Sequence, residues 1–556
     1  MTHRSRLLAA AALTTVGGLL LVGCSSPSSS SDGGSSGATP PLTVDMAFSG
    51  SVIQSNFNPF LSSATQGTRN YMFQTLMNTD IINGGEFTPW LASGYELSED
   101  GRTLTVHVEP EATWSDGTPV TAEDVRFTLQ LAKDNPALNQ RGAQFETVTA
   151  VDDKTVEFTF AEPGSTLLAG IFATYIVPKA QWEGVDAQTF TNDQPVVSGP
   201  YELGRFSPQQ VTLSLREDYW RTSDIQVETI NMPIINSSTL VSQLERGQVD
   251  VSGAAIPNLI DGYVSTSDQH GYFYPTYGGL YLVFNHDVPA LQDVRVRRAV
   301  MLAMDKPQQI ELVTQVGAQP ISQTGLDATT LSDWLDPQYT EPVERDLEGA
   351  RAELEQAGYT FDADGRAIGP DGAPLTLSYG EVGDFADSVQ RARIISQQLA
   401  EIGITVDVET AASSTYSSER ANGGYDLVGY GFAYGNTPYV FYNSMLNSSL
   451  AGGEDGSPSS YANYGRWRDE ETDAALDRFA AASAVEEQRE AGYELQRIVT
   501  EEVPFVTLSN ITAGCAYTTA NWTGFPSEDD PYGVCAPWFA GSSVEDMLAK
   551  LEPAGS

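Results

Sequence analysis

Histidine and cysteine are nearly absent from this chain, four and three in 556 residues. His107, His270 and His286 stand far apart and no cysteines cluster, so neither a direct metal site nor a metal cofactor is expected. Basic residues are also scarce. Lys and Arg number 29 against 73 Asp and Glu, a net charge of −44, which argues against nucleic acid or anionic lipid as a partner. Spread over a surface, such an acidic surplus confers solubility and does not by itself imply a cationic ligand. Signatures of hydrolytic enzymes are missing as well, with no H-E-x-x-H and no S-x-x-K. Gly33 to Gly37 matches G-x-S-x-G, but lies in a Ser/Gly stretch with no strand before it and no helix after it. Past residue 22 no apolar run reaches membrane-spanning length.

What is present begins at the N-terminus. His3, Arg4 and Arg6 precede an apolar stretch from Leu7 to Val22, too short and too terminal for a membrane span. It ends in Leu21-Val22-Gly23-Cys24, which resembles the lipobox of bacterial lipoproteins. The resemblance implies cleavage after residue 23, acylation of Cys24, and residence on the outer face of the cytoplasmic membrane, at the cell surface or in the periplasm. More than one acyl chain holds a protein at a bilayer durably. Residues 24–41, rich in Ser, Gly and Pro, are expected to be a flexible tether.

The remaining 500-odd residues suffice for two or three packed lobes. Leu104, Val106 and Val108 alternate with polar residues, as do Val156, Phe158 and Phe160, and both read as half-buried strands. Thr121 reads as a helix N-cap with Asp124 at the capping-box position. Val296, Val300 and Met304 predict a helix with Arg295 and Arg298 outward. A second helix ends at Gly358 and a third at Gly403, after which Ile404, Val406 and Val408 alternate as a strand. Helix, glycine, strand is the rhythm of an α/β fold. In an exported chain Cys515 and Cys535 are expected to pair rather than remain free thiols. Closing about twenty residues would stabilise by roughly 3 kcal/mol.

Seven segments in order resemble the large solute-binding proteins of ABC importers, family 5, the dipeptide, oligopeptide and nickel type. They are Asn56 to Phe60, Trp114 to Val125, Ser198 to Tyr201, Leu244 to Asp250, the run from Phe284 to Lys306, Ala357 to Tyr359, and Ile402 to Ile404. The resemblance implies a two-lobed periplasmic-binding-protein fold, type II of the large cluster C kind. Lobe I would span 42–284 with an extra subdomain at about 81–195, lobe II 285–504, and 505–556 would return to lobe I. The chain would cross near Phe284 and Pro504, and solute would be enclosed as the lobes close.

Dipeptide binders of this family hold the solute's ammonium with an aspartate in a lobe II loop. They hold its carboxylate with an arginine ahead of a lobe II helix. Here Tyr434 stands where the acid is expected, and no arginine occurs after Tyr379 until Arg391. Both anchors are therefore expected to be absent, which disfavours free dipeptides and leaves longer or modified peptides, sugars and metal chelates. Tyr430, Phe432, Tyr434 and Asn436 are the candidate ligand contacts from that loop, with Phe57, Asn58, Tyr277 and Gly278 from the other segments. Glu381 or Asp384 could meet a cationic group, though a solvated acid is the favoured reading of both. The expected partners are a peptide or peptide-like solute and the permease subunits, with the receptor acting as a monomer. A sensing lipoprotein is the alternative, and an exported enzyme is disfavoured.

Overall fold

The computed structural model describes residues 39–555 apart from 47–51, 62–63, 66, 81–84, 136, 255, 257, 314–315, 384, 454–457, 460–462 and 538–543. The stretch expected to be a leader, Cys24 with its expected lipidation, most of the expected tether and Asp384 lie outside the described residues.

Period-two burial sets the strands. In Thr103–Val108 the side chains of Leu104, Val106 and Val108 are buried and His107 is exposed, as alternation requires. This strand pairs antiparallel with Ala92–Leu97 and with Thr155–Thr159, and Thr147–Ala150 completes a four-stranded sheet. The helix Ala122–Asp134 lays Ala122, Val125 and Leu129 into the same core. Its start is a reciprocal capping box: the Thr121 N–H donates to Asp124 Oδ2 (2.9 Å) and the Asp124 N–H to Thr121 Oγ1 (3.3 Å), satisfying two otherwise orphaned donors.

Lobe I is built on a seven-stranded sheet in the order His270–Phe273, Cys515–Thr518, Val251–Ser252, Leu42–Asp45, Thr229–Pro233, Gln210–Leu215, Tyr201–Ser207. The C-terminal helix Val544–Lys550 is fastened to this lobe by a buried acid. Glu545 accepts from Trp90 Nε1 and Tyr219 Oη (2.7 Å each) and pairs with Arg221 at 2.8 Å.

Lobe II carries a five-stranded sheet in the order Thr405–Ala411, Thr376–Val382, Leu427–Ala433, Thr276–Phe284, Phe505–Thr512. The first three strands are parallel, and Thr276–Phe284 runs antiparallel to both its neighbours. One face packs on the helices Val294–Ala303 and Ala386–Ala400. The other packs on Tyr439–Leu446 and Val485–Glu502. The result is a two-lobed α/β protein.

The crossings differ from expectation. Strand Thr276–Phe284 pairs with Leu427–Ala433 along its length, so it already belongs to lobe II, and Phe284 is its far end. Phe505–Thr512 is likewise a lobe II strand and not the return to lobe I. The chain crosses between Phe273 and Thr276 and again between Thr512 and Cys515. The two crossing strands are sheet neighbours, and Cys515, just past the second crossing, is bonded to Cys535 with Cα atoms 5.5 Å apart.

Candidate solute-binding cleft

The C-terminal ends of three parallel strands, Val382, Ala411 and Ala433, lie along one edge of lobe II, where open α/β sheets place their ligands. The loop leaving Ala433 carries Tyr434 and Asn436. Gly278 makes close pairing possible here: a Cβ on it would come within 2.1 Å of the Phe432 carbonyl. The Tyr434 N–H donates to the Tyr277 carbonyl (2.9 Å), fixing the loop to the start of the first crossing strand.

Residues 430, 432 and 434 alternate onto the face packed by the helix Tyr439–Leu446. Phe432 and Tyr434 are buried there, 5.6 and 5.9 Å from the Phe441 ring. The Tyr434 hydroxyl donates to the Gly325 carbonyl at 2.6 Å and lies 3.1 Å from the Tyr281 hydroxyl, which donates to the same carbonyl at 2.7 Å. Gly279 leaves the room for this pair, since a Cβ there would be 2.0 Å from the Tyr281 oxygen and 2.7 Å from that of Tyr434. Burial pushes the Tyr434 phenol well above its ordinary value. The residue at the expected acid position is therefore neutral, buried and already hydrogen-bonded.

Tyr430 is half-buried, edge-on to Tyr464 with centroids 5.2 Å apart. The Arg420 guanidinium lies over three rings, Tyr464 at 4.0 Å, Tyr430 at 4.9 Å and Tyr416 at 5.0 Å. Tyr277 is half-buried against Ala513, Val534 and Ala536, beside the second crossing. Asn436 is half-buried and abuts lobe I: a Cβ on Gly85, at φ +79°, would fall 2.6 Å from the Asn436 Cα. A second bridge runs from Gln488 Nε2 to Ser165 Oγ at 3.1 Å. Thr437, which the sequence did not single out, has a buried hydroxyl with no partner among the described residues, a group that calls for explanation.

Three expected contacts lie elsewhere. Phe57 is 1% exposed in the lobe I core, edge-on to Phe206. Asn58 is 0% exposed, its amide donating to the Ala187 and Phe190 carbonyls and its oxygen accepting from the Phe60 N–H. Both are scaffold, because every polar atom of Asn58 is consumed within the lobe. Glu381 is neither solvated nor free for a solute. It lies 3.5 Å from Arg391, accepts from the Tyr379 hydroxyl (3.3 Å) and from the Val382 N–H (3.0 Å), and is 3% exposed. Burial raises its pKa while Arg391 opposes the rise. The first arginine after Tyr379 thus neutralises an internal acid, a pairing that residue order alone could not reveal.

Among the described residues no helix is long and apolar enough to cross a membrane, and no three His, Cys, Asp or Glu side chains form a metal-binding group.

Residues 86–454 match the family model described as bacterial extracellular solute-binding proteins, family 5 middle. Among curated proteins, the Escherichia coli (strain K12) periplasmic oligopeptide-binding protein OppA is 25% identical over 407 residues, covering 68% of this chain and 72% of its own. The probable D,D-dipeptide-binding periplasmic protein DdpA of the same strain is 26% identical over 438 residues, covering 75% and 78%. Among solved structures, a periplasmic oligopeptide-binding protein of Thermotoga maritima superposes with a TM-score of 0.81 at 22% identity, over 92% of this chain and 99% of that one. The same protein bound to mannohexaose gives 0.78, over 93% and 99%. The fold, the paired crossing strands and the family match, which spans well over half of the chain, agree: this protein belongs to the bacterial extracellular solute-binding proteins of family 5, the solute-capturing components of ABC importers.

Proposed function

We propose that this protein captures a peptide or peptide-like solute whose ends are not held by a fixed acid and a fixed arginine, and delivers it to an ABC permease. The observation that carries this reading is Tyr434. Where dipeptide binders of the family are expected to carry an acid, this chain has a phenol whose hydroxyl is spent on the Gly325 carbonyl. Arg391 is spent in the same way on Glu381. Affinity would then come from backbone hydrogen bonds and from aromatic and glycine surfaces along the lobe II edge, with Tyr277, Tyr430 and Asn436 as the half-buried contacts. The names of the relatives OppA and DdpA support a peptide.

A second reading, an oligosaccharide, is favoured by the same neutrality of the site and by the mannohexaose in the Thermotoga structure. Under either reading the protein is a receptor and not an enzyme. It is tethered through an acylated Cys24 and the Ser/Gly/Pro stretch 25–41 to the outer face of the membrane, and acts as a monomer.

The test is to produce the chain from Leu42 onward, purify it without denaturation, and analyse by mass spectrometry what denaturation releases. A released peptide supports the first reading, and its length and termini reveal how the missing anchors are replaced. A released sugar supports the second. With an empty cleft, candidate solutes are screened by thermal shift, where a ligand at a hundredfold over Kd adds about 2.7 kcal/mol.

A further inference from the structure

Away from the cleft edge, lobe II has a small, partly open cavity between the two crossing strands and the helices Lys306–Val313 and Ala386–Ala400. Its walls are apolar at Leu280, Ile310 and Leu508, and polar at Lys306, Gln309 and Arg391. The free space accommodates roughly one water-sized body.

The polar groups around it are poorly matched. Lys306 is 1% exposed; its ammonium donates to Thr507 Oγ1 at 3.2 Å and forms no ion pair among the described residues. Arg391 is 7% exposed, and its Nε–H has no partner although Nη2 reaches Ser388 Oγ (3.0 Å) and Glu381 (3.5 Å). Gln309 is 4% exposed with Oε1 unpartnered, while its amide nitrogen donates to Gln398 Oε1 at 2.8 Å. Arg391 has Glu381 as its buried ion-pair partner, whereas Lys306 has none among the described residues. An unpaired buried charge is costly. A water in the cavity would fill the space but balance nothing.

We propose that this cavity is a binding site for a small monovalent anion of halide size. The anion accepts from the Lys306 ammonium and from the Arg391 Nε–H. The Lys306 ammonium then donates to both Thr507 Oγ1 and the anion. Because the walls include both crossing strands, an occupied site ties the helices Lys306–Val313 and Ala386–Ala400 to the strands that join the lobes. The site is independent of which solute the cleft takes.

The probe is chloride. At pH 7 and constant ionic strength, replacing gluconate by chloride raises the Tm saturably, by about 1–2 °C for a protein of this size. Acetate, too large for the space, does not. The variant Lys306→Met loses the chloride response. If that variant does not fold, a bromide-soaked crystal of the unaltered protein decides, with an anomalous peak expected between Lys306 Nζ and the Arg391 guanidinium. Absence of a chloride-specific rise together with a bromide-free cavity overturns the proposal. An equal response to acetate, which reports a general salt effect, overturns it too.

Discussion

Glu381 and Arg391 show what a single side chain contributes beyond its place in the sequence. The acid follows a glycine near the end of a strand and the arginine lies in the next helix, and only folding brings them within 3.5 Å. Replacing one partner of a buried pair strands the other, at a cost of about 3–5 kcal/mol. Glu381→Gln should therefore lower the urea-denaturation free energy by about 3 kcal/mol, whereas Glu162→Gln, at an exposed pair with Arg102, should change it by less than about 1 kcal/mol. Equal effects would show that the internal pair carries no special weight. At this scale the sequence was least legible. Asn58 reads as a polar lining residue yet spends both sides of its amide inside lobe I. Tyr434 occupies the expected position, but its hydroxyl is claimed by a carbonyl more than a hundred residues away. Side-chain direction and burial are settled by tertiary contacts that no local pattern records.

Elements were far more legible, because their signals are local. The capping box at Thr121 and Asp124 formed as spaced, and the glycines ending two lobe II helices took positive φ, +93° at Gly358 and +87° at Gly403. Strand extent was less readable: Phe505–Thr512 continues through the polar residues Ser509 and Asn510, both buried, with Asn510 donating to Asp327 (2.8 Å) in another segment. Strand Thr276–Phe284 is constrained at both ends. Near its start Gly279→Ala would drive a methyl into the Tyr281 and Tyr434 hydroxyls, an overpacking that should cost about 1–3 kcal/mol in chemical denaturation. Just beyond its far end, His286 Nε2 donates to the Pro504 carbonyl (3.0 Å), and the ring packs on Trp467. Burial, and then the nearby Arg297, push the His286 pKa down to about 3. An unfolded histidine titrates near 6.5. The unfolded chain therefore takes up a proton that the folded one refuses, so this group's contribution to stability falls as pH drops from about 6.5 toward 3. Comparing stability against pH for the unaltered protein and His286→Gln should show a shallower acid decline in the variant. Parallel curves would refute the assignment.

The whole molecule is two lobes joined by a pair of neighbouring strands, with the bond between Cys515 and Cys535 set where the second strand re-enters lobe I. The bond spans 20 residues, so the loop-entropy relation assigns it about 3 kcal/mol. The double variant Cys515→Ser/Cys535→Ser should melt at a lower temperature with its solute specificity intact. Altered specificity would mean that the bridge shapes the cleft rather than only the frame. Architecture was legible at this scale because seven spaced segments constrain it together. The exact crossings were not, because a strand's membership in one sheet or another depends on its partners.

The position of strand Cys515–Thr518 in the seven-stranded sheet has a further consequence, for the order of assembly. It lies between Val251–Ser252 and His270–Phe273, and the latter strand pairs with nothing else in that sheet. Lobe II is contiguous in sequence and can mature as soon as Thr512 is available, but lobe I waits for a segment from near the end of the chain. A chain emerging from its N-terminus would thus complete the later lobe before the earlier one. In pulse-labelled hydrogen exchange during refolding, amides of Leu427–Ala433 should gain protection before those of His270–Phe273, and a receptor truncated before Cys515 should leave that edge strand unprotected.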